Sequence, residues 1–268
     1  KIFKDNINNK NKIISESAKY QVEEVSKIKN IPSDEYIKFV QLKNDSQQVW
    51  ENAKRNSDYK AFENNLNLLI NTSKKMVQYR EKEESIYNQL LSDYEKGLNL
   101  EKVDEFFEVI KKELVPFIDK VIEKQGEKPK FLSAKVPVEK QKEISALIMD
   151  HLSYDESFGH LSTAEHPFSS TFSINDTRIT TNYNVNDFTS NIFSVIHEVG
   201  HSLYNHNVNI DFEGYPIANN MSFSMHESQS RFLENNIGRS KEFWIPLYGK
   251  LQAIIPNVLA DVELDEFI

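Results

Sequence analysis

The 268-residue sequence contains no cysteine, which removes disulfide scaffolds, thiolate zinc sites, iron–sulfur clusters and a cysteine nucleophile together. Any metal must then be held by histidine and carboxylates. Glycine and proline are scarce, at seven and eight residues, about half the share of an average chain. A sandwich or barrel needs a tight turn every ten residues or so, so this composition argues against an all-β fold. Long hydrophobic runs are missing as well. The longest, at 243–248, is six residues, against the roughly 20 that span a bilayer. Positive charge is in deficit, with 32 Lys+Arg against 41 Asp+Glu and a net charge of −9. Such a chain has no general electrostatic reason to seek nucleic acid or an anionic membrane. No charged-then-apolar signal segment opens it. A cytoplasmic protein with neither nucleic-acid nor membrane partners is expected.

What is present is helical patterning. Residues 1–125 read as charged amphipathic helices. After Ser57 the apolar residues Phe62, Leu66, Leu69, Ile70, Met76 and Val77 fall at helical spacing. Ser57 with Asp58, and Ser33 with Asp34 and Glu35, are candidate N-terminal caps. Gly97 is expected to end one helix. The next starts near Glu101 and carries Val103, Phe106, Phe107, Ile110 and Leu114 on one face, continuing through Phe117, Ile118, Val121 and Ile122. That stripe is read as core. Pro116 is expected to kink or break the helix, because it lacks an amide donor. A connector at 126–138 precedes a helix predicted over 139–152. The stretch 154–183 is then rich in Ser, Thr, Asn and aromatics. Within it, 177–183 alternates two faces, Arg178, Thr180 and Asn182 against Ile179, Thr181 and Tyr183, which predicts a strand. Residues 168–174 are placed to pair with it across Asn175 and Asp176. Helical spacing returns from Asp187 onward.

The chemistry concentrates at 197–231. Ile196-His197-Glu198-Val199-Gly200-His201 is an H-E-x-x-H. On a helix its two histidines sit one turn apart on the same face, so both imidazoles can reach one ion. Glu198 lies one residue around from them, close enough to hold a water without being a ligand. Gly200 costs helicity about 1 kcal/mol against Ala, but permits close approach of another backbone or a ligand. A catalytic zinc needs three protein ligands and an open position. Downstream, Met225-His226-Glu227-Ser228-Gln229-Ser230-Arg231 offers Glu227 on a second helix, a glutamate-zincin arrangement. His226 and His206 are rival third ligands, of which His206 would require the helix to bend; Glu227 is preferred. Arg231, four residues after Glu227, is placed to hydrogen-bond that carboxylate and fix its orientation.

At these residues the sequence resembles the carboxypeptidase Taq family of thermostable metallocarboxypeptidases. The likeness is carried by His166-Pro-Phe168, by Asp176-x-Arg178-x-Thr180, by the H-E-x-x-H, and by His226-Glu-Ser-Gln-Ser-Arg231, in family order. Tyr87-Asn-Gln-Leu-Leu-Ser-Asp-Tyr94-Glu-Lys-Gly97 and Asn236-Ile-Gly238-Arg239-Ser, with Phe243-Trp244, resemble it too, so most of the chain is covered. The resemblance implies a mainly α, multi-helix zincin-like fold with a small antiparallel β-sheet beside the metal site. It implies His197, His201 and Glu227 as ligands of one divalent ion, Glu198 as general base, and His166 and Arg178 as substrate contacts. Asp176 is expected to support the site from behind Arg178; the plainer alternative is that it only caps the turn and Arg178 only pairs with it. The ion implied is zinc, a set of two histidines and a glutamate suiting cobalt as well. The activity implied is hydrolysis of the C-terminal peptide bond of a peptide with a free C-terminus. Family members are typically homodimers, although no segment here marks an interface.

Family segments W-D with M-P upstream, and I-R-x-x-A-D and G-x-x-Q-D-x-H-W downstream, are not found. They would supply recognition of the terminal carboxylate and the oxyanion. The chain is therefore read as one helical peptidase domain truncated at both ends, with a helical portion at 1–125 and a metal-site portion at 126–268 that carries the sheet at about 166–183. It is expected to fold around an ion and to be poorly active alone. Two other readings stand beside this one. The first is another helical zincin, either an oligopeptidase or a dipeptidyl carboxypeptidase; the second is a catalytically incompetent helical fragment or interaction module.

Overall fold

The computed structural model describes residues 1–80, 83–219 and 221–268. Contacts divide the chain into two compact units. One is Lys1–Phe117 with a short segment starting at Gly214, and the other is Ile118–Glu213 with Met221–Ile268. Among the described residues no helix is long and apolar enough to cross a membrane.

The first unit is helical throughout, and side-chain caps set where its helices begin. Asn11 opens Lys12–Ile28 by accepting from the Ile13 amide at 2.9 Å, and Asp58 opens Tyr59–Gln78 by accepting from the Ala61 amide at 3.2 Å. Ser57, just before that cap, takes a left-handed φ of 51°. Ser33 is not a cap. It is the first residue of Ser33–Arg55, behind Pro32, and makes no capping bond. Asp34 and Glu35 instead place negative charge in the first turn, where the exposed amides favour it. Gly97, at φ 81°, follows the helix Ile86–Tyr94.

Of the kink or break expected at Pro116 in the next helix, the break does not occur. Leu100–Val109 passes through one wide π turn, Ile110–Leu114, into Val115–Lys124. A π turn is a recognised accommodation for a disrupted hydrogen-bond ladder, here the one Pro116 interrupts. Nor is its apolar stripe core. Phe106 and Phe117 are each 61% exposed and Ile122 is 60% exposed. Helical spacing establishes that a face is apolar; it does not establish that anything covers it.

In the second unit, the helix Val138–His151 contributes Ile144 and Ile148 to a core shared with Ile192, Val195, Ile196 and Val199 of Phe188–His206. Trp244, Leu251 and Leu259 from the C-terminal helices complete it. Strand β1 (Gly159–Thr163), strand β2 (Ser169–Ser173) and strand β3 (Asp176–Thr181) form a sheet of order β1-β3-β2. The hairpin expected across Asn175 is β2 against β3, antiparallel. The wholly antiparallel sheet is corrected to a mixed one, because β1 runs parallel to β3. Tyr154 explains the addition. Its hydroxyl donates to the Thr177 carbonyl at 2.8 Å and accepts from the His160 amide at 3.0 Å, bridging the two strands. Gly159 lies flush on that ring: a Cβ there would stand 2.4 Å from it.

Candidate functional site

The helix Phe188–His206 carries the H-E-x-x-H. Asp187 caps it, accepting from the Ser190 amide at 3.1 Å and the Thr189 hydroxyl at 2.8 Å. Its apolar stripe is anchored in the core, so the rest of the turn is fixed in rotation. His197 and His201 consequently sit one turn apart on the same face, their rings edge to face with centres 4.8 Å apart.

The second helix, Phe223–Arg231, is capped by Ser222, which accepts from the Met225 amide at 3.2 Å. It crosses directly over Gly200. A Cβ at Gly200 would stand 2.7 Å from the Ser230 Cα, a backbone atom that cannot swing away. The missing side chain is what lets Glu227 reach the histidines. Replacing glycine by alanine within a helix is worth about 1 kcal/mol in its favour, but overpacking against backbone costs about 1–3 kcal/mol. Gly200→Ala is therefore expected to lower the thermal midpoint and to displace Glu227 from the two histidines; calorimetry and a divalent-metal titration on the same preparation check both.

Glu227 Oε2 lies 3.6 Å from His197 Nε2 and 3.4 Å from His201 Nε2. One ligand atom from each of the three residues falls within 4.8 Å of the others. Glu227 Oε1 is taken by Arg231 Nε at 2.7 Å, as the four-residue spacing anticipated. Only Oε2 is left to face the histidines. Partial burial works to raise the Glu227 carboxyl pKa, but the Arg231 hydrogen bond, aided by the charges of His197, Arg231 and His201, holds it below the usual range.

Glu198 is buried, and its Oε2 has no hydrogen-bond partner among the described residues. Burial, followed by repulsion from Glu227, pushes its pKa up to about 7. Burial, with His226 and His197 adding to it, pushes His201 down to about 4. In metal-free protein these two shifts oppose each other. Between pH 4.5 and 6.5 the unfolded chain has released the Glu198 proton while the folded chain keeps it, so this group's stabilisation is lost as pH climbs toward about 7. Over nearly the same window the unfolded chain still holds the His201 proton that the folded chain has released, so its contribution grows as pH rises above about 4. Each is worth about 3 kcal/mol. Glu198→Gln should remove the opposing carboxyl contribution, so that stability rises more steeply between pH 4 and 6.5 than in the wild type, measured by denaturant titration in chelator.

The rival ligands are otherwise engaged. His226 Nε2 meets Asn205 Oδ1 at 3.1 Å, and its ring stacks on His201 at 4.4 Å. His206 Nδ1 meets the Ile174 carbonyl at 2.5 Å, and its ring stacks on Phe158 at 3.8 Å.

A cleft of about 980 Å³ opens over the triad, its lining including His166, Pro167, Phe168, Arg231, Glu234 and Arg239. His166 is thus brought to the site. Arg178 is not among the lining residues. It is held by Asp176 through two bonds of 2.8 Å and lies over the Phe172 ring at 4.8 Å. Sequence reasoning passed over Glu234. It is buried, and its Oε2 lies 3.0 Å from His197 Nδ1. The available signal was spacing: Glu234 follows Arg231 by three residues, on the face that carries Glu227.

A family model described as carboxypeptidase Taq (M32) metallopeptidase matches residues 3–268. The sequence is 37% identical to carboxypeptidase 1 of Bacillus subtilis (strain 168) over 261 residues, which is 95% of this chain and 52% of that protein. It is 40% identical over 217 residues to thermostable carboxypeptidase 1 of Pyrococcus furiosus, 78% of this chain and 42% of that one. The crystal structure of BsuCP superposes with a TM-score of 0.93 at 34% identity, covering 99% of this chain and 54% of its own. The chain thus spans about half the length of the relatives it matches.

Proposed function

The chain belongs to the carboxypeptidase Taq (M32) family of metallopeptidases, and from that premise we propose that it forms the metal centre of a peptidase that removes residues from the free C-terminus of peptides. The observation that carries this reading is the convergence of His197, His201 and Glu227 in an open cleft, with a buried, unpartnered Glu198 beside them. A divalent metal follows from the family. The donor set fits one, since two imidazole nitrogens and a carboxylate oxygen leave a coordination position open. Zinc is the ion we assign, with cobalt suited to the same donors.

When bound, the ion supplies Lewis acidity that polarises a peptide carbonyl and lowers the pKa of water to about 7. Glu198 is the general base. Its carboxylate takes the proton of the attacking water and delivers it to the leaving amine. Arg231 holds Glu227 by one oxygen and so keeps the other aimed at the histidines. His166, with Pro167 and Phe168, borders the cleft as a substrate contact. Arg178, whose exposed side chain is bound to Asp176 and which is not among the cleft-lining residues, is assigned only an indirect part.

Products from matched peptides with free and blocked C-termini test the reading. Release of single residues from the free peptide alone is expected. Release of dipeptides, or internal cleavage of the blocked peptide, would assign a different peptidase class.

A further inference from the structure

The proposed ligands do not stand alone. Glu234 is a carboxylate buried to 8% exposure with both oxygens committed. Oε2 meets His197 Nδ1 at 3.0 Å and Arg231 Nη1 at 3.2 Å, while Oε1 accepts from Arg239 Nη2 at 3.2 Å. Arg239 is itself steadied by lying over the Phe193 ring at 3.7 Å. Taking a carboxylate out of water is costly unless its lone pairs are matched, and here two guanidinium groups and an imidazole match them.

The arrangement has a direction. A carboxylate flanked by two arginines is an acceptor, so His197 donates from Nδ1, and in its neutral form, the one that can bind a metal, Nε2 carries the lone pair. Nε2 is the atom that faces Glu227. Arg231 also grips Glu227, through Nε. A closed loop therefore runs from Glu227 to Arg231 to Glu234 to His197, joining groups from two separate helices. His201 is outside the loop, its Nδ1 buried without a partner among the described residues.

We propose that Glu234 is the positioning residue of the metal centre, fixing His197 in the tautomer that offers Nε2 and tying it through Arg231 to Glu227. The assignment rests on the reading of His197 and Glu227 as ligands. Outer partners of this kind set metal affinity by about 10- to 100-fold.

Two readouts on the 268-residue chain test it: the zinc dissociation constant, from competition with a chromophoric chelator, and the His197 tautomer, from the nitrogen shifts of 15N-histidine-labelled, metal-free protein. Wild-type His197 should carry its proton on Nδ1. Glu234→Ala should abolish that preference and raise the zinc dissociation constant about 10- to 100-fold. Glu234→Gln keeps an oxygen for His197 but loses the charge that holds both arginines, and should fall between. If the alanine variant does not fold, the glutamine variant carries both readouts. Zinc affinity within twofold of wild type in the folded variant, or a wild-type His197 with no Nδ1 proton preference, overturns the proposal. His197→Ala separates the two levels. Zinc binding that is lost in His197→Ala but kept in the Glu234 variants overturns the positioning role alone. Binding kept in His197→Ala, or missing from the wild type, overturns the ligand reading and this proposal with it.

Discussion

Glu198→Gln is expected to reduce peptide hydrolysis by about 10²- to 10⁴-fold while zinc content stays at the wild-type level. Glutamine preserves the volume of the side chain, so the cleft keeps its shape. It cannot take a proton at Oε2, the buried oxygen that no described residue engages. The metal should be indifferent to the change, because the three converging ligand atoms come from His197, His201 and Glu227. Hydrolysis of a free-ended peptide, with zinc measured after dialysis, checks the pair of outcomes. Loss of zinc would make Glu198 a ligand or a structural residue, and unchanged hydrolysis would take the base role from it.

Glu227→Ala carries the other large effect. Removing a ligand should cost more than the 100-fold that marks the upper end of outer-partner substitutions. Arg231 then loses the acceptor it grips at 2.7 Å and keeps only its bond to Glu234. The consequence is visible in stability as well as in content. A ligand at 100 times its dissociation constant stabilises the folded state by about 2.7 kcal/mol, so zinc should raise the wild-type thermal midpoint and leave that of the variant where it was. A variant that still gains stability from zinc would point to His226, whose ring lies against His201.

Most of this site was legible in a single sequence because its information is local. Four-residue spacing alone puts His197 over His201, and the same spacing pairs Glu227 with Arg231. Gly200 also announced a close approach, though not that Ser230 would be the neighbour. What stayed hidden depends on pairings distant in the chain. Gly159–Thr163 has no strand signature of its own and joins the sheet through its parallel ladder with β3, at a place that the Tyr154 hydroxyl helps to fix. Glu234 reads as an ordinary charge on a helix until Phe188–His206 is laid against it, bringing His197 within 3.0 Å. The stripe through Phe106 and Phe117 fails in the opposite sense, since its periodicity is clear and its exposure is not written in it.

The helix that bears Glu227 does not continue as a regular one: Phe223–Arg231 runs into a π segment, Phe232–Ile237. A π turn holds one residue more than the α turn it replaces. Residue count, more than residue type, is therefore the vulnerable quantity between 232 and 237. Deleting one residue there is absorbed when the wide turn tightens to an α turn, but adding one to a turn already widened would swing everything beyond it by about 100°. Gly238, where a Cβ would already meet Ile196 at 3.0 Å, and Arg239, which holds Glu234, would both leave their places. For any effort to lengthen, graft or redesign this region, length is a stricter constraint than composition.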